Sequence, residues 1–271
     1  MNKIKLALCQ MKVVDDKNQN IAKALDMIAN SSDKDADIAI LPEMFNCPYQ
    51  NDKFIEYSEN VEDSVTLDNI SEIASEKDIF VLAGSIPEKD DSGKIYNTSF
   101  LFDNNGKIIA KHRKVHLFDI DIPNKVYFKE SDVLSSGNDF TVVETKFGKI
   151  GIGICYDIRF PELSRHMALN DAKILFFPGA FNLTTGPAHW ELLFRSRALD
   201  NQVFCVGVAP AINDEASYHS YGHSLVVSPW GDVLVEASED EKLIISEIDL
   251  NEINKIREEL PLLENRRTDL Y

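Results

Sequence analysis

The sequence predicts a layered α/β domain with mixed β-sheets. Short apolar runs typical of strands recur along the 271 residues, amphipathic helical patterns lie between some of them, and turn signals separate others. Strand–helix–strand units favour parallel pairing and hairpins favour antiparallel pairing, so their combination indicates sheets of mixed direction covered by helices. The sequence shows no repeat, linker or low-complexity segment, and we therefore expect a single domain over residues 1–271.

The predicted strands are mostly continuous apolar runs, which is typical of strands covered on both faces or at a sheet–sheet core. In chain order they are KIKLALCQ from residue 3, DIAILPE from 37, IFVLAGSI from 79, YNTSFLF from 96, KIIAKHRK from 107, KIGIGICYD from 149, KILFFPG from 173, VFCVGVA from 203, HSLVVSP from 223 and KLIISEIDL from 242.

Three helices are predicted from apolar side chains that share one helical face. These side chains are Ile21, Leu25 and Ile28 in the first helix, Leu67, Ile70 and Ile73 in the second, and Trp190, Leu193, Phe194 and Ala198 in the third. Hairpin turns are predicted at DDSG (90–93), DNNG (103–106) and SPWGD (228–232), each followed by a strand-like run. We interpret all these patterns as core and connections.

The composition is that of an ordinary globular protein, with 44% hydrophobic and 27% charged residues. No apolar run approaches the roughly 20 residues that span a bilayer. The N-terminal residues lack the cleavage site of a signal peptide, so we expect a cytoplasmic protein. The four cysteines, Cys9, Cys47, Cys155 and Cys205, form no CxxC pair, which disfavours a zinc ribbon and indicates reduced thiols.

The formal net charge of −17 narrows the class of partner. Nucleic acids and anionic membranes both require a basic surface, so neither is expected to bind. A small anionic substrate is compatible with this charge, since salt screens the global field over roughly 10 Å. Binding such a substrate would require a local arginine.

The segment GKIGIGICYDIRFPE (148–162) is the most informative part of the sequence. An apolar strand-like run ends at Cys155, and a helix is predicted to follow from Pro161. A thiol at a strand end beside a helix start lies where backbone N–H groups converge and favour the thiolate. The alternative is a small buried hydrophobe that closes a core strand.

A cysteine nucleophile needs a base or a cation beside it, and three other segments offer candidates. Glu43 follows a strand-like run, where site residues gather in open α/β sheets, and its alternative is a turn or capping carboxylate. Lys114 precedes an apolar segment, so it either points inward or belongs to a solvated charge cluster. Glu130 lies between an aromatic pair and a Ser/Gly loop, and its alternative is a surface carboxylate.

Three segments resemble the signature segments of the nitrilase, or carbon–nitrogen hydrolase, superfamily: LPEMFNCPY (41–49), HRKVHLFD (112–119) and GICYDIRFPE (153–162). The resemblance covers essentially the whole chain. It implies a four-layer αββα sandwich with two mixed sheets, assembled as a homodimer, and no cofactor or metal. Similarity to the omega-amidase branch lies in HLFDIDIPNK (116–125), PGAFNLTTGPAHWELL (178–193), RSRALDNQ (195–202) and GHSLVVSPWGDVL (222–234).

The resemblance also implies a role for each candidate. Cys155 would be the nucleophile and Glu43 the general base that takes the thiol proton. Lys114, joined by the backbone N–H of Tyr156, would stabilise the tetrahedral oxyanion. Glu130 would hold the lysine and orient the site. The expected reaction is amide hydrolysis through a thioester at Cys155.

For an omega-amidase the implied substrates are α-ketoglutaramate and α-ketosuccinamate, which belong to glutamine and asparagine metabolism. Hydrolysis of their terminal amide gives the keto-dicarboxylate and ammonia. Each substrate carries a carboxylate at the end far from the amide. Arg159, four residues after the nucleophile, is the leading candidate to bind it through a bidentate fork, and its alternative is an ion pair with Asp157 or Glu162.

Four further residues are candidates for the substrate pocket. Tyr49 and Thr185 could hydrogen-bond the carboxylate or keto group, and Phe45 and Phe181 could form an apolar wall. Core packing is the alternative for both phenylalanines. The loop FNLTTGPAHW (181–190) is typical of a binding loop over a rigid scaffold.

Other functions are compatible with the same residues. An amidase acting on deaminated glutathione or N-carbamoyl substrates would differ only in its pocket. A Cys–His protease would need His116, His189 or His223 beside Cys155, but the local protease signatures are absent. A metal site of Cys155, His116 and Asp157 lacks the spacing of metal ligands. A binding protein without turnover is disfavoured by the intact set of candidates.

Overall fold

The structure, a computed structural model, describes residues 2–122 and 126–270. The strands within these ranges are Lys3–Gln10 (β1), Ile38–Ile40 (β2), Phe80–Lys89 (β3), Ile95–Phe102 (β4), Ile108–Arg113 (β5), Asp119–Ile122 (β6), Val126–Lys129 (β7), Thr141–Thr145 (β8), Gly148–Ile152 (β9), Ile174–Pro178 (β10), Phe204–Val208 (β11), Leu225–Val227 (β12), Val233–Glu236 (β13) and Lys242–Asp249 (β14). The α-helices are Lys17–Ser32 (α1), Asn51–Glu56 (α2), Val65–Glu76 (α3), Pro161–Leu169 (α4), Gly186–Asn201 (α5) and Asn251–Glu259 (α6).

Two six-stranded sheets form the body of the molecule. Their strand orders are β14-β1-β2-β3-β4-β5 and β13-β12-β11-β10-β9-β8, and β6 and β7 form a separate hairpin. In the first sheet β1, β2 and β3 run parallel and the outer pairs are antiparallel. The second sheet repeats this arrangement around β9, β10 and β11. The prediction of mixed sheets is therefore confirmed.

The hydrophobic clusters define four layers. One cluster joins side chains of the first sheet, such as Leu6 and Leu82, to side chains of the second, such as Phe176 and Val206, so the sheets pack face to face. The outer face of the first sheet packs against α1 and α3, and that of the second against α4 and α5. The result is the αββα sandwich that the sequence resemblance implied.

The predicted helical stripes face these clusters. Ile21 and Ile28 of α1 are buried and Leu25 between them is partly buried. Asp16 caps the start of α1, because its carboxylate accepts a hydrogen bond from the Gln19 N–H and so satisfies a donor that the helix leaves unpaired. The core, the cap and the helix period therefore agree on where this element begins and which face it buries.

Each predicted hairpin turn joins two paired strands. The turns at 90–93, 103–106 and 228–232 connect β3 to β4, β4 to β5 and β12 to β13. Their glycines, Gly93, Gly106 and Gly231, have φ values of 84°, 76° and 90°, a left-handed backbone that favours glycine.

Several elements carry too weak a pattern to have been predicted. They are β6, β7, β8, α2 and α6, which are short or only partly buried. Residues 123–125, with which the segment HLFDIDIPNK ends, lie outside the described residues. None of the described helices combines the length and apolarity that a membrane crossing needs.

Candidate active site

Four strand ends bring the predicted site residues together. Glu43 follows β2 and Lys114 follows β5 in the first sheet, and Cys155 follows β9 in the second. Glu130 follows β7 of the small hairpin. The first two and Glu130 have no exposed surface, and Cys155 is 5% exposed. The site therefore lies at one end of the sandwich, where the two sheets meet, and it excludes most water.

Gly84, in β3, allows the segment that carries Glu43 to pass close to that strand. A Cβ on Gly84 would lie 1.9 Å from the carbonyl oxygen of Pro42, the residue before Glu43. The N–H of Ser85 donates to the same carbonyl at 3.3 Å. Because the two backbones approach so closely, the position of Glu43 relative to β3 is constrained.

Lys114 is the centre of a buried ion cluster. Its Nζ lies 2.8 Å from Oε1 of Glu43 and 2.9 Å from Oε1 of Glu130. The hydroxyl of Tyr49 donates to the same Glu130 oxygen at 2.7 Å. A buried ammonium is tolerated only when it is paired and hydrogen-bonded, and here two carboxylates surround it.

Both oxygens of Glu43 are engaged. The side chain of Asn97 donates to Oε1 at 2.8 Å, and the N–H of Ala180 donates to Oε2 at 2.7 Å. The Cys155 thiol lies close enough to this carboxylate that the two groups shift each other's pKa. Since the contacts come from both sheets, the carboxylate is fixed between the lysine and the thiol.

The shared burial shifts the pKa of each group. Burial raises the pKa of Glu43 above its usual 4.5, although Lys114 opposes that shift. Burial also raises the pKa of the Cys155 thiol well above 9.0, and the negative charge of Glu43 adds to the effect. Burial alone would lower the pKa of Lys114, but the two carboxylates raise it well above 10.5. The resting site therefore holds a neutral thiol, an ammonium and a carboxylate able to accept a proton. The expectation that the turn favours the thiolate is wrong for this resting site, because burial and the charge of Glu43 raise the pKa of Cys155.

Cys155 adopts an unusual backbone conformation. Its φ is +46°, in the left-handed region that costs a residue with a side chain on the order of 1–3 kcal/mol. It begins the 3-10 helix Cys155–Arg159, so the N–H of Tyr156 has no acceptor within that helix. Gly179 lies beside it, where an added Cβ would be 3.2 Å from the Cys155 Cα. The turn places the thiol beside the N–H of Tyr156, and the thiol also interacts electrostatically with Lys114.

Comparison with known proteins decides the family. Residues 5–258 match the carbon–nitrogen hydrolase family. The chain is 48% identical to omega-amidase NIT2 of Xenopus tropicalis and 46% identical to that of Homo sapiens, in each case over 100% of this chain and 98% of the relative. The crystal structure of Saccharomyces cerevisiae Nit3, a member of branch 10 of the nitrilase superfamily, superposes with a TM-score of 0.91 at 44% identity, covering 98% of this chain and 97% of that chain. This chain belongs to the carbon–nitrogen hydrolase family.

Membership of this family confirms the resemblance recognised from the three signature segments, including its omega-amidase branch. The similarity to Nit3 also confirms the αββα architecture. The signature segments supply Glu43, Lys114 and Cys155, which the fold of this carbon–nitrogen hydrolase brings together.

Arg159 has no acidic partner among the described residues. Its guanidinium carbon lies 4.7 Å from the ring centre of Phe181, and Nη1 contacts Nδ1 of His189 at 3.2 Å. Of the two weighed partners, Asp157 instead accepts hydrogen bonds from two histidines. Burial lowers the pKa of Arg159, and its electrostatic interaction with Cys155 opposes that shift. This carbon–nitrogen hydrolase therefore holds an unneutralised cation near its thiol.

The remaining candidates for the pocket lie in different settings. The hydroxyl of Tyr49 is used by Glu130, and that of Thr185 donates to Asn182 at 3.2 Å at the start of α5. Phe45 is fully buried in the cluster beneath α1 and α3, which matches its core-packing alternative. Phe181 packs on Trp190, with ring centres 5.0 Å apart, and also contacts Arg159.

Tyr218 and Asn97 contact the site without having been predicted. The Tyr218 hydroxyl donates to the carbonyl of Ala180, and its ring centre lies 4.7 Å from that of Tyr49. The loop that carries Tyr218 has no apolar pattern, so no local signal marks it. Asn97 could have been found, because it is a buried amide within the otherwise β-forming run YNTSFLF.

A cavity of ≈ 260 Å³ adjoins the ion cluster. It lies between the loops after β1, β2 and β11. Its lining includes Glu43, Tyr49, Ala180 and Tyr218, but not Cys155, Arg159, Phe181 or Thr185. Its volume lies just below the roughly 300–1,000 Å³ of sites for drug-sized ligands, so it suits a small molecule.

The rival cysteine chemistries lack their geometry. Among the described residues, His116 binds Asp157, His189 contacts Arg159 and His223 contacts the carbonyl of Tyr221. The weighed Cys–His pair would need one of these rings on the sulfur. In the described part of the chain, no three His, Cys, Asp or Glu side chains are arranged to hold a metal ion.

Proposed function

We propose that this carbon–nitrogen hydrolase is an omega-amidase that converts α-ketoglutaramate and α-ketosuccinamate to the keto-dicarboxylate and ammonia. One observation carries the proposal: buried Glu43 is ion-paired with the Lys114 ammonium and also interacts electrostatically with the Cys155 thiol. The omega-amidase names of relatives that are 46–48% identical over the full chain support the substrate class.

In the first half of the reaction Cys155 becomes acylated. Glu43 accepts the thiol proton as the sulfur attacks the amide carbon, so the thiolate forms only when the substrate is in place. The carbonyl oxygen becomes an oxyanion. When the C–N bond breaks, Glu43 returns the proton to the departing nitrogen, which leaves as ammonia. The product of this half is a thioester at Cys155.

In the second half water replaces the ammonia. Glu43 removes one proton from the water, and the resulting hydroxide adds to the thioester carbon. Collapse of the second tetrahedral intermediate breaks the C–S bond, and the proton on Glu43 returns to the sulfur. The acid product ionises and leaves, and the thiol and the carboxylate are restored.

Lys114 and the N–H of Tyr156 act on both tetrahedral oxyanions. Their charge and dipole act in a buried site, where removal of one such donor typically costs roughly 3–4 kcal/mol of barrier. Glu130 keeps Lys114 charged and in position, at a distance of 2.9 Å. Tyr49 supports this arrangement by donating to the same oxygen of Glu130.

Arg159 is the proposed partner of the distal substrate carboxylate. Its guanidinium lies close to Cys155, is partly desolvated and has a buried Nε without a hydrogen-bond partner. An anion with two oxygens would satisfy that fork. The guanidinium carbon lies 4.7 Å from the ring centre of Phe181. Thr185 is proposed to bind the keto group or carboxylate by exchanging its hydrogen bond to Asn182 for one to the substrate.

The test compares ammonia release from α-ketoglutaramate, glutamine, a carbamoyl amino acid and an aliphatic nitrile. We expect a clear preference for the keto-amide, and a preference for the carbamoyl compound would identify an N-carbamoyl amidase instead. Cys155→Ala should be inert, whereas the matched variant Cys9→Ala, in the core beneath α1, should keep its activity. Full activity of Cys155→Ala would overturn the nucleophile assignment.

We further propose a homodimer and a cytoplasmic location. Leu192 and Leu199 are exposed on one side of α5, and Trp230 lies beside them, since Arg195 of that helix donates to the carbonyl of Gly231 at 2.8 Å. A second copy would cover this apolar surface. Four free cysteines favour a reducing compartment. Sedimentation should show a dimer that Leu199→Asp weakens, and the exposed α2 variant Ile55→Asp should leave it intact.

A further inference from the structure

We propose that Asp157 is a positioning residue that locks the Cys155 turn to the strand end bearing Lys114, through His112 and His116. This inference rests on the proposed function, because it explains how the nucleophile and the oxyanion cation are held in register. None of these three side chains is part of the acid–base chemistry described above.

The carboxylate of Asp157 accepts four hydrogen bonds and has no exposed surface. Oδ1 lies 2.9 Å from the backbone nitrogen and 2.8 Å from Nδ1 of His116. Oδ2 lies 3.0 Å from Nε2 of His112 and 3.0 Å from the backbone nitrogen of Ile154. An ionised carboxylate only accepts, so both ring nitrogens act as donors. Burial disfavours the charge, but these four donors outweigh it and hold the pKa of Asp157 below its usual 3.8.

The two histidines flank the catalytic lysine. His112 lies two residues before Lys114 and His116 two residues after it. The Asp157 carboxylate therefore binds the chain on both sides of the lysine. The outer nitrogen of His112 is anchored in turn, since Nδ1 lies 3.0 Å from Oγ1 of Thr141 in β8. Lys114 itself is tied to β4 by its N–H, which donates to Asn97 at 2.8 Å. The strand end therefore has little freedom to move away from Asp157.

The same carboxylate closes the turn that contains the nucleophile. Ile154 donates its N–H to Oδ2 of Asp157, and the N–H of Asp157 donates to the Ile154 carbonyl at 3.0 Å. Cys155, between them, keeps its left-handed φ because its neighbours are bonded to each other. A strained backbone of this kind persists only where the surrounding structure over-determines it. Asp157 thus sets the direction of the sulfur and, through the histidines, its distance from Lys114.

The experiment exploits the different ring atoms that the two histidines use. Asn places an amide donor near the position of Nδ1, and Gln places one near that of Nε2. His116→Asn and His112→Gln therefore retain the bond to Asp157, whereas His116→Gln and His112→Asn lose it. We expect kcat on α-ketoglutaramate to fall at least about tenfold in the two mismatched variants and to stay within about threefold in the matched ones. KM should change little in all four.

The exposed His166 supplies a control, since His166→Asn should behave as the wild type. Circular dichroism and urea unfolding show whether each variant is folded. The proposal predicts that Asn is more active than Gln at position 116 and that Gln is more active than Asn at position 112. A role limited to filling space predicts equal kcat values within each pair, or the same order of Asn and Gln at both positions. Either of these results overturns the proposal. Should a mismatched variant unfold, Asp157→Asn is compared with Asp157→Ala by the same readouts, and equal kcat values for wild type and Asp157→Asn also overturn it.

A second readout needs no substrate. The rate at which iodoacetamide alkylates Cys155, followed by mass spectrometry, should fall in the mismatched variants and recover in the matched ones, because the sulfur depends on its alignment with Glu43. This pattern would support the positioning role even if the protein hydrolysed no keto-amide. The lack of keto-amide hydrolysis would refute only the omega-amidase proposal. If the wild type hydrolysed the keto-amide but the Asn and Gln variants at each histidine were alkylated at equal rates, only the positioning role would be refuted.

Discussion

Nζ of Lys114 lies 2.8 Å from Oε1 of Glu43, and neither side chain exposes any surface. A buried ion pair is costly to form and more costly to break, because removing one partner leaves the other charged without water. The same lysine also pairs with Glu130 at 2.9 Å, and in the proposed mechanism it stabilises the oxyanion.

Removal of the lysine should therefore destabilise the protein as well as inactivate it. Lys114→Met leaves Glu43 and Glu130 buried without a cation, and we expect a loss of about 3–5 kcal/mol in the free energy of unfolding. Amidase activity should fall by about 10²–10³-fold or more. Urea unfolding at neutral pH and single-turnover kinetics measure the two effects.

Lys149 provides the control for this prediction. Its ion pair with Asp171 is 3.4 Å long, and the two side chains are 37% and 73% exposed. Lys149→Met should lower stability by at most about 1 kcal/mol and leave kcat unchanged. If the two lysine variants lost equal stability, the buried cluster would not depend on charge pairing.

The pH dependence of catalysis should follow the shifted pKa of Glu43. The base must be ionised to accept the thiol proton, and burial raises its pKa above 4.5. As the pH falls through that raised pKa, kcat/KM should decline at a higher pH than an ordinary glutamate would cause. A pH–rate profile, with circular dichroism to verify folding at each point, tests this. An acid limb at or below pH 4.5 would contradict the prediction.

The site residues that could be predicted from the sequence are those whose reactive side chains lie at the end of a strand-like run or beside an apolar segment. Glu43 and Cys155 each interrupt an apolar run, and Lys114 precedes one, so local patterns marked all three. Their approach to one another depends on pairing between residues more than 70 positions apart, as between Glu43 and Lys114. That pairing came from the family resemblance and not from periodicity.

The supporting residues were harder to predict because their roles depend on tertiary contacts. Asp157 was weighed as an ion-pair partner of Arg159, yet it binds His112 of β5 and His116 in the segment that follows β5. Weak elements were missed for a related reason. Strand β8, which pairs with β9, is only partly buried. Its sequence TVVET mixes two valines with polar and charged residues, so it carries a weak apolar signal.

Arg159 should determine the preference for an anionic substrate. In Arg159→Lys the planar fork is lost while a positive charge remains, and we expect KM for α-ketoglutaramate to rise by about 10–100-fold with a smaller change in kcat. For a neutral aliphatic amide the two proteins should differ little. The exposed residue Arg195, on α5, supplies the control Arg195→Lys. An unchanged KM would remove Arg159 from the substrate site.

Gly84 should be required for both folding and catalysis. In Gly84→Ala the new methyl group would meet the Pro42 carbonyl at 1.9 Å, so the chain bearing Glu43 must shift. We expect a loss of about 1–3 kcal/mol in the free energy of unfolding, and lower kcat. Gly93→Ala is the matched control, because its φ of +84° is also left-handed but nothing lies within 4 Å. It should cost about 1 kcal/mol and spare kcat.

The stability that Asp157 contributes should depend on pH with a known sign. Its pKa is depressed in the folded protein by His112, His116 and backbone donors, so the folded state favours the ionised carboxylate. This contribution is fully present above the ordinary value of 3.8 and is lost as the pH falls towards the lower folded pKa. Asp157→Asn should therefore be less stable than the wild type at neutral pH, and the difference should shrink below about pH 4. Urea unfolding of both proteins between about pH 7 and pH 3 measures this difference. A difference that stayed constant over this range would mean that the four hydrogen bonds do not depend on the negative charge of Asp157.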